Sequence, residues 1–303
     1  MRAIVIGGSG QIGGWLLQSL IAAGDDAIGT FASVPTPGLL PLDASDQLSA
    51  AEWVRSRNPD VVFYPAGFTW VDGCQRDPAK AFAANRDEPL NLARAASQVG
   101  AKFVYFSTDY VFDGQSGPNS EADQPKPLSI YGEAKLAAEH QLIDELRDQA
   151  LIARTSWVYG PERQGKNFAY QLVKTLKAGK PLVCPSDQVS SPSYGPDVAR
   201  ATLSLLRAGI HGLIHVAGPE VMDRVTFAKA IAVAFGLAPE LIESQSTAEL
   251  AQEAPRPLQG GLTTPRLDAF KPNLMRPLNE SLADFRTCVR SDQNWRNPLE
   301  NGD

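Results

Sequence analysis

The sequence has few of the residues that build disulfide-stabilised or metal-centred proteins. Among its 303 residues are three cysteines and three histidines: Cys74, Cys184, Cys288, His140, His211 and His215. The cysteines are odd in number and far apart, which favours free thiols over a disulfide framework. The histidines do not lie at metal-ligand spacing from cysteines or carboxylates. The sequence therefore predicts no metal site, and Cys74 has no obvious histidine partner for nucleophilic chemistry.

Long runs of positive charge and long apolar runs are also missing. Lys and Arg total 28 against 34 Asp and Glu, and the net charge is −6, which argues against a nucleic-acid or anionic membrane partner. No apolar run approaches the roughly 18 residues that a membrane-spanning helix needs. Met1 leads directly into an apolar strand and not into a charged leader with a cleavage site. We expect a cytoplasmic protein, and the sequence leaves a homo-oligomer open.

What the sequence does contain is a regular alternation of apolar runs and Ala/Leu-rich segments over its first 155 residues. Buried strands are predicted at residues 3–7, 27–31, 61–64, 103–107 and 151–155. Helices are predicted at residues 11–23, 45–58, 78–99 and 129–148, with Pro89 kinking or dividing the third. Continuously apolar strands between helices indicate a parallel sheet covered on both faces. The predicted fold is α/β, a Rossmann-type doubly wound parallel sheet with a smaller C-terminal substrate-binding lobe.

The pattern becomes less regular after about residue 156. Loops rich in Pro and Gly follow at 161–165, 181–196 and 254–265, where a substrate-recognition lobe would be built. Residues 195–207 and 213–216 nevertheless read as a further helix and strand that rejoin the sheet. We therefore predict an NAD(P)-binding domain at 1–155 together with 195–217, and a substrate-binding lobe at 156–194 and 218–303.

A glycine-rich turn follows the first strand and opens the first helix. Its sequence, GGSGQIG at residues 7–13, places Gly7, Gly10 and Gly13 at GxxGxxG spacing. Glycines allow a tight turn and the close approach of a pyrophosphate to the amides and dipole at a helix N-terminus. A plain loop is the alternative, but this position between strand and helix favours dinucleotide binding.

The second strand lacks the terminal carboxylate that selects NAD. Thr30 and Ser33 could instead hydrogen-bond a 2′-phosphate, although no neighbouring Arg supplies a counter-charge. The sequence therefore predicts NADP(H) as the preferred cofactor, with NAD(H) as the alternative. Asp43 and Ala44 would suit contacts to adenine, while Asp43 is equally consistent with a plain helix cap.

Tyr131 and Lys135 are four residues apart in a predicted helix, downstream of Thr108 and Asp109. This spacing puts both side chains on one helix face, where the ammonium can lower the pKa of the phenol and make it a proton donor. A pair of exposed surface residues has the same spacing. The preceding glycine turn favours hydride-transfer chemistry.

The ordered motifs between residue 7 and about residue 267 resemble one known family. After the glycine turn they are TWVDGC at 69–74, STDYVFDG at 107–114, YGEAK at 131–135, RTSWVYG at 154–160, DQ at 187–188, PS at 192–193 and RP at 256–257. Together they resemble the extended short-chain dehydrogenase/reductase family, specifically its dTDP-4-dehydrorhamnose reductase branch. Each motif alone is weak, whereas the ordered set is specific.

The resemblance implies an NAD(P)H-dependent reductase acting on the 4-keto group of a nucleotide-linked 6-deoxysugar. Tyr131 would protonate the developing alkoxide, Lys135 would hold the nicotinamide ribose and lower the tyrosine pKa, and Thr108, beside Asp109, would bind or tune the reacting oxygen. The other implied contacts are Gly10, Gln11 and Ile12 to pyrophosphate; Asp43 and Ala44 to adenine; Ala66, Gly67 and Phe68 to the centre of the cofactor; Trp157 to the sugar; and Gln188, Ser193 and Arg256 to the substrate. The planar guanidinium of Arg256 would suit a diphosphate.

Sugar-nucleotide dehydratases place Asp-Glu directly after the threonine, whereas Asp109 is followed here by Tyr110, which favours simple reduction.

Two other interpretations remain open. The regulatory subunit of methionine adenosyltransferase resembles the same branch and would make this chain a non-catalytic, NADP-binding partner protein. An epimerase or another sugar-nucleotide oxidoreductase with tightly retained cofactor is the remaining alternative.

Overall fold

The computed structural model describes residues 1–292 together with Trp295 and Leu299; the rest of the predicted 218–303 lobe segment lies outside the described residues. The strands are β1 Arg2–Val5, β2 Asp26–Phe31, β3 Leu40–Pro41, β4 Val61–Tyr64, β5 Lys102–Thr108, β6 Ala150–Thr155, β7 Val158–Tyr159, β8 Leu182–Pro185, β9 Val189–Ser190, β10 Ser193–Tyr194, β11 Gly212–His215, β12 Met222–Asp223 and β13 Ile242–Gln245. The α-helices are α1 Gln11–Ala22, α2 Gln47–Arg57, α3 Val71–Arg76, α4 Pro78–Phe82, α5 Glu88–Gln98, α6 Ile130–Leu146, α7 Phe168–Lys177, α8 Gly195–Arg207, α9 Arg224–Phe235, α10 Pro265–Phe270 and α11 Leu278–Ser291.

A seven-stranded parallel sheet organises the molecule. Its strand order is β11-β6-β5-β4-β1-β2-β3, and every neighbouring pair is parallel. The chain moves outward from β1 to β3 and then returns to β4 on the other side of β1, so the order reverses between β1 and β4. Ligands of doubly wound sheets bind at such a reversal, outside the carboxyl ends of the strands. The predicted doubly wound fold is confirmed.

Both faces of the sheet are covered by apolar side chains, as the continuously apolar strands predicted. On one face, Leu16 and Leu20 of α1 and Val198 of α8 pack against β1 and β4. On the other face, Val54 of α2 and Leu142 of α6 belong to the core that includes the remaining side chains of these strands. Burial of two faces explains why the strands show no alternation of polar and apolar residues.

The helices begin where short polar side chains cap them. Asp46, Ser129, Asn167 and Asp223 each accept a hydrogen bond from a backbone N–H in the first turn, and they start α2, α6, α7 and α9. Such caps satisfy amide groups that have no partner within the helix. The cap at Ser129 is functionally important because it fixes the start of the helix that carries Tyr131 and Lys135.

The helix predicted over residues 78–99 is divided, as the proline suggested. It consists of α4, a π-helical turn at Ala83–Asp87, and α5, with Pro89 in the first turn of α5. A proline has no N–H to donate to the carbonyl four residues earlier, here that of Asn85. The Tyr105 hydroxyl donates to this carbonyl at 2.6 Å. The irregular turn therefore links the helix to β5.

A third apolar core holds the C-terminal lobe together. Its large buried side chains include Tyr159, Tyr170, Phe227 and Phe285, and the helices around it are α7, α9 and α11. Strand β11 lies apart from this core, because it pairs with β6 at the edge of the main sheet. Within the described part of the chain, no helix combines the length and apolar character needed to cross a membrane.

Candidate active site

A cleft of about 640 Å³ lies where the strand order reverses, along the carboxyl ends of β1, β4, β5 and β6. The sequence-predicted residues that line it are Gly7, Gly10, Gln11, Ile12, Gly13, Ser33, Ala66, Gly67, Thr108, Asp109, Tyr131, Lys135 and Trp157. The fold thus brings the glycine turn and the Tyr/Lys pair, more than 100 residues apart in sequence, into one cleft.

The glycine turn is shaped for close approach by a ligand. Gly7 has φ 87°, a conformation that favours glycine, and a Cβ on Gly7 would lie 2.9 Å from the Ala66 Cβ. A Cβ on Gly13 would collide with the Gly7 carbonyl oxygen. The first turn of α1 has no acidic side chain, and no side chain caps it at Gly10. Its amides and positive dipole end are therefore available to a phosphate.

The structure corrects the role predicted for Thr30. This residue is 1% exposed, and its hydroxyl accepts a hydrogen bond from the Gly7 N–H at 3.2 Å. Thr30 therefore holds the glycine turn in place and does not reach a 2′-phosphate. Ser33, by contrast, is exposed and lines the cleft just beyond β2, as the sequence argument expects.

Asp43 and Ala44 do not line the cleft. The Asp43 carboxylate accepts hydrogen bonds from the Ser45 backbone N–H at 2.9 Å and from its hydroxyl at 2.6 Å. Asp43 therefore forms a local turn and not the helix cap that the sequence offered as the alternative to adenine binding, since the cap of α2 is Asp46.

Asn85 is a positioning residue that the sequence analysis missed. Its side chain is fully buried and bonds both backbone groups of Phe68: Oδ1 accepts from the N–H at 3.1 Å, and Nδ2 donates to the carbonyl at 3.0 Å. A Cβ on Gly67 would lie 2.7 Å from the same Oδ1. Phe68 is therefore held by its backbone and does not line the cleft, whereas Ala66 and Gly67 do. The only sequence signal was Pro89, which marks the irregular turn.

Tyr131 and Lys135 lie on the face of α6 that meets β5. Tyr131 is 8% exposed and packs edge-on against Tyr110, with ring centroids 5.8 Å apart. Lys135 is 3% exposed, and its Nζ donates to the Phe106 carbonyl at 2.9 Å and lies 4.4 Å from the centroid of the Tyr105 ring. The spacing predicted a shared face, and both side chains do line the cleft.

Burial dominates the titration of this pair. It raises the pKa of Tyr131 well above the ordinary phenol value; the Thr108 hydroxyl opposes that rise by hydrogen bonding, and the Asp109 charge adds to it. Burial also lowers the pKa of Lys135 to about 7, opposed by the charge of Glu139. The predicted lowering of the tyrosine pKa is therefore wrong for this structure, because desolvation of the phenolate outweighs the hydrogen bond from Thr108.

Asp109 is a buried carboxylate surrounded by hydroxyl groups. It is 2% exposed and accepts hydrogen bonds from Ser190 at 2.6 Å, from Ser156 at 2.8 Å and from Thr108 at 3.3 Å. Burial raises its pKa, and these three hydroxyls oppose the rise. Ser190, the last residue of β9, was not predicted. The cluster ties the end of β5 to β6 and the C-terminal lobe, which fixes Thr108 beside the cleft.

Three of the four residues predicted to bind substrate through their side chains after residue 156 have structural partners instead. Gln188 is 5% exposed and donates to Thr247 at 2.9 Å and Gln252 at 2.8 Å. Ser193 is fully buried, donates to the Ser191 carbonyl and accepts from the Gly218 N–H. These two predictions are corrected because both side chains already hold loops of the lobe together.

Arg256 forms an ion pair. Two of its nitrogens bond the two carboxylate oxygens of Asp72 at 3.0 and 2.9 Å, and NH1 also donates to the Ala254 carbonyl at 2.7 Å. The guanidinium that the sequence analysis assigned to a diphosphate is therefore already paired with a carboxylate. Trp157, the fourth predicted residue, does line the cleft and adopts φ 38°, an uncommon conformation for a bulky side chain.

The loop between β7 and α7 contributes cleft residues that sequence analysis missed. Gln164 and Lys166 line the cleft, and the Gln164 Nε2 donates to the Ser9 carbonyl of the glycine turn at 2.8 Å. The indole N–H of Trp15 donates to the Pro161 carbonyl at 2.8 Å. The sequence offered only a Pro/Gly-rich loop here, since its path depends on contacts with α1.

Two buried hydroxyls in the cleft are available to a bound dinucleotide. Ser107 and Thr155 line the cleft, and their hydroxyls have no hydrogen-bond partner among the described residues. Buried hydroxyls are normally paired, so such groups are expected to meet a ligand or solvent. Together with the glycine turn, these hydroxyls fit a nicotinamide dinucleotide.

Metal chemistry finds no comparable support in the described residues, which contain no group of three or more His, Cys, Asp or Glu able to hold an ion. Cys74, Cys184 and Cys288 are free thiols. Burial raises the pKa of Cys74 to about 11, and its Sγ donates to the Phe68 carbonyl at 3.2 Å. This cysteine is therefore not activated as a nucleophile.

Comparison with known proteins agrees with this geometry. The family model described as RmlD substrate binding domain matches residues 1–290. The chain is 35% identical to a probable low-salt glycan biosynthesis reductase of Haloferax volcanii, over 85% of this chain and 88% of that protein. It is 33% identical to a dTDP-4-dehydrorhamnose reductase of Mycobacterium tuberculosis, over 87% of this chain and 85% of that protein. A dTDP-4-dehydrorhamnose reductase of Bacillus anthracis, solved in complex with NADP, superposes with TM-score 0.86 and 28% identity, covering 94% of this chain and 98% of that one.

Proposed function

The chain belongs to the RmlD substrate binding domain family, and on that premise we propose that it reduces the 4-keto group of a nucleotide-linked 6-deoxysugar with NADPH. One observation carries the proposal: Tyr131 and Lys135 line the same cleft as the glycine turn. It supports a role for Tyr131 as the proton donor to the substrate that the nicotinamide reduces. The product is the corresponding 4-hydroxy sugar nucleotide.

The cofactor supplies the hydride when it is bound. The amides of Gly10, Gln11 and Ile12 at the start of α1 would hold its pyrophosphate, and Ala66 and Gly67 would border its centre. Ser33 would contact the ribose 2′-position, where the carboxylate that selects NAD is lacking. The NADP complex of the Bacillus anthracis relative supports NADP(H) as the preferred cofactor, with NAD(H) as the alternative.

Tyr131 donates the proton. Its raised pKa keeps the phenol protonated at neutral pH until the alkoxide, a stronger base than the phenolate, develops on the substrate. The Thr108 hydroxyl bonds the same reacting oxygen and stabilises the phenolate that remains. Both groups lie at the end of β5 or the start of α6, on rigid elements.

Lys135 holds the nicotinamide ribose through its ammonium group. Its Nζ is anchored to the Phe106 carbonyl, which leaves the other N–H donors free to reach ribose hydroxyls. The nearby charge of Glu139, one helical turn further along α6, favours the protonated form of Lys135. Asp109 positions Thr108, and Trp157 flanks the sugar.

We also propose that the two parts of the chain divide the work. Residues 1–155 with 195–217 hold the cofactor, and residues 156–194 with the described remainder of 218–303 hold the sugar nucleotide. The free thiols support a cytoplasmic location. Light scattering of the purified protein would show whether the chain forms a homo-oligomer.

The first experiment follows the absorbance of NADPH, and separately of NADH, after addition of a dTDP-4-keto-6-deoxysugar. Sugar-dependent oxidation that is lost in Tyr131→Phe supports the proposal and gives the cofactor preference. Cofactor binding without oxidation would contradict it and favour the regulatory alternative, which co-purification with a synthetase would support. Cofactor that stays bound through gel filtration and is never consumed would favour an epimerase.

A further inference from the structure

We propose that Arg224 binds the diphosphate of the nucleotide-sugar substrate, the task that the sequence assigned to Arg256. The inference rests on the proposed function, because it takes the substrate to be a nucleoside diphosphate linked to a sugar. It concerns the substrate end of the cleft, near Trp157 and Tyr110.

Arg256 is poorly suited to the task as the structure has it. Its side chain is 10% exposed, and its charge is neutralised by the two-point pair with Asp72. Binding a phosphate would require this pair to break and would leave the carboxylate partly buried without its counter-charge. Such a loss is costly for groups shielded from water.

Arg224, unlike Arg256, does not form an ion pair with a described residue. It begins α9 and is partly exposed, and its guanidinium lies over the Trp157 ring, with Cζ 3.4 Å from the ring centroid. Phe168 lies on it as well, at 4.7 Å. Stacking on an aromatic ring fixes the plane of a guanidinium and leaves the N–H groups at its edge free. Within the described part of the chain, these nitrogens have no hydrogen bond or ion pair.

The surroundings of Arg224 favour the binding of an anion. Burial lowers the pKa of Arg224 to about 10, so the side chain stays charged at neutral pH; the neighbouring acidic groups of Tyr110, Cys184 and Asp109 oppose the shift. Asp109 does not neutralise Arg224 by pairing, because its oxygens are engaged by three hydroxyls. A partly desolvated charge without a partner is unfavourable until a counter-ion arrives. A planar guanidinium matches two phosphate oxygens better than a point charge does.

The position relative to the cleft also fits. Trp157, on which Arg224 stacks, lines the cleft next to Ser156 and Val158, and Ser156 belongs to the Asp109 cluster. The cofactor pyrophosphate belongs at the glycine turn. Arg224 is not itself among the residues that line the cleft, but it is held against Trp157, which is. In this proposal it binds a second diphosphate, that of the nucleotide-linked substrate.

The test compares dTDP with thymidine in calorimetric titrations of the NADP-loaded protein. Arg224→Gln keeps a planar polar side chain but removes the charge, and Arg286→Met is the control, since Arg286 is an exposed arginine that donates to the Ala234 carbonyl. We expect Arg224→Gln to weaken dTDP binding about 10- to 100-fold, the loss typical of hydrogen bonds to charged groups, and to leave thymidine binding unchanged. Arg286→Met should bind both as the parent does.

Equal affinity of the parent and Arg224→Gln for dTDP would overturn the inference, as would an equal loss of dTDP and thymidine affinity, which indicates a structural role. Failure of the parent protein to bind dTDP or UDP would also overturn it. Tight, Arg224-dependent dTDP binding without any keto-sugar reduction would instead refute the proposed reaction and leave this inference standing. Arg224→Lys, which keeps the charge but not the fork, serves as the second variant and should recover part of the lost affinity.

Discussion

Replacing Glu139 with Gln should destabilise the protein far more than a surface substitution does. Glu139 and Arg154 form a two-point pair between α6 and β6, with N–O distances of 2.9 and 2.6 Å and side-chain exposures of 1% and 3%. Breaking a buried pair leaves one charge uncompensated in a medium that hardly screens it. The expected loss of unfolding free energy is about 3–5 kcal/mol.

The same helix offers a matched control. Glu145 of α6 forms an equally regular pair with Arg94, with both N–O distances 2.7 Å, but the side chains are 35% and 55% exposed. Exposed pairs contribute about 0–1 kcal/mol, so Glu145→Gln should change the unfolding free energy by no more than that. Urea unfolding of both variants, followed by circular dichroism, measures the difference directly.

A double variant identifies the cause. Glu139→Leu combined with Arg154→Met removes both charges, and replacing both partners of a buried pair by apolar residues is often neutral. The double variant should therefore be more stable than Glu139→Gln. If Glu139→Gln costs no more than Glu145→Gln, or if removing Arg154 as well gives no recovery, the argument from an uncompensated buried charge is wrong.

Three further outcomes are expected. Tyr131→Phe should lower turnover about 10²- to 10⁴-fold with an unchanged Kd for NADPH, measured by nicotinamide fluorescence; unaltered turnover would remove Tyr131 from the mechanism. Lys135→Met should reduce both cofactor affinity and turnover. The pKa of Lys135 falls from its ordinary 10.5 to about 7 on folding, so the unfolded chain binds more protons than the folded chain between these pH values. Without cofactor, the parent should therefore gain stability relative to Lys135→Met as the pH rises from about 7 to 10.5. Parallel stability curves for the two proteins would contradict the pKa shift. Gly67→Ala should weaken NADPH binding, because its Cβ would lie 2.7 Å from the Asn85 Oδ1 and overpacking costs about 1–3 kcal/mol; an unchanged Kd for NADPH would show that the Asn85 side chain moves away from the new Cβ without affecting the cleft.

Much of the fold could be predicted because the sheet is buried on both faces. Apolar runs such as β4, whose four residues are all buried, show their position directly in the sequence. The short strands of the lobe could not be predicted in this way. Pairs such as β9 with β12 contain two residues each and depend on contacts between distant segments.

Spacing predicted which side chains meet in one cleft, while the roles of those side chains stay predictions. The glycine turn and the Tyr131/Lys135 pair depend on local geometry, and both line the cleft. Gln188, Ser193 and Arg256 depend on the paths of loops, and each has a partner that the sequence does not reveal. Asn85 was missed because its partner Phe68 lies 17 residues earlier in another segment. Arg224, which we propose binds the diphosphate, was missed because it stacks on Trp157, far away in the chain.

At the irregular turn before Pro89, a substitution that raises stability is expected to lower cofactor affinity. Pro89→Ala would restore an N–H inside the helix, and alanine is up to about 3 kcal/mol more favourable than proline in a helix interior. The restored N–H would compete with the Tyr105 hydroxyl for the Asn85 carbonyl, and the side chain that supports Gly67 and Phe68 would be free to shift. A more heat-resistant protein obtained in this way should therefore bind its cofactor less well, so an engineer would gain more by stabilising the exposed face of α5 and keeping the proline.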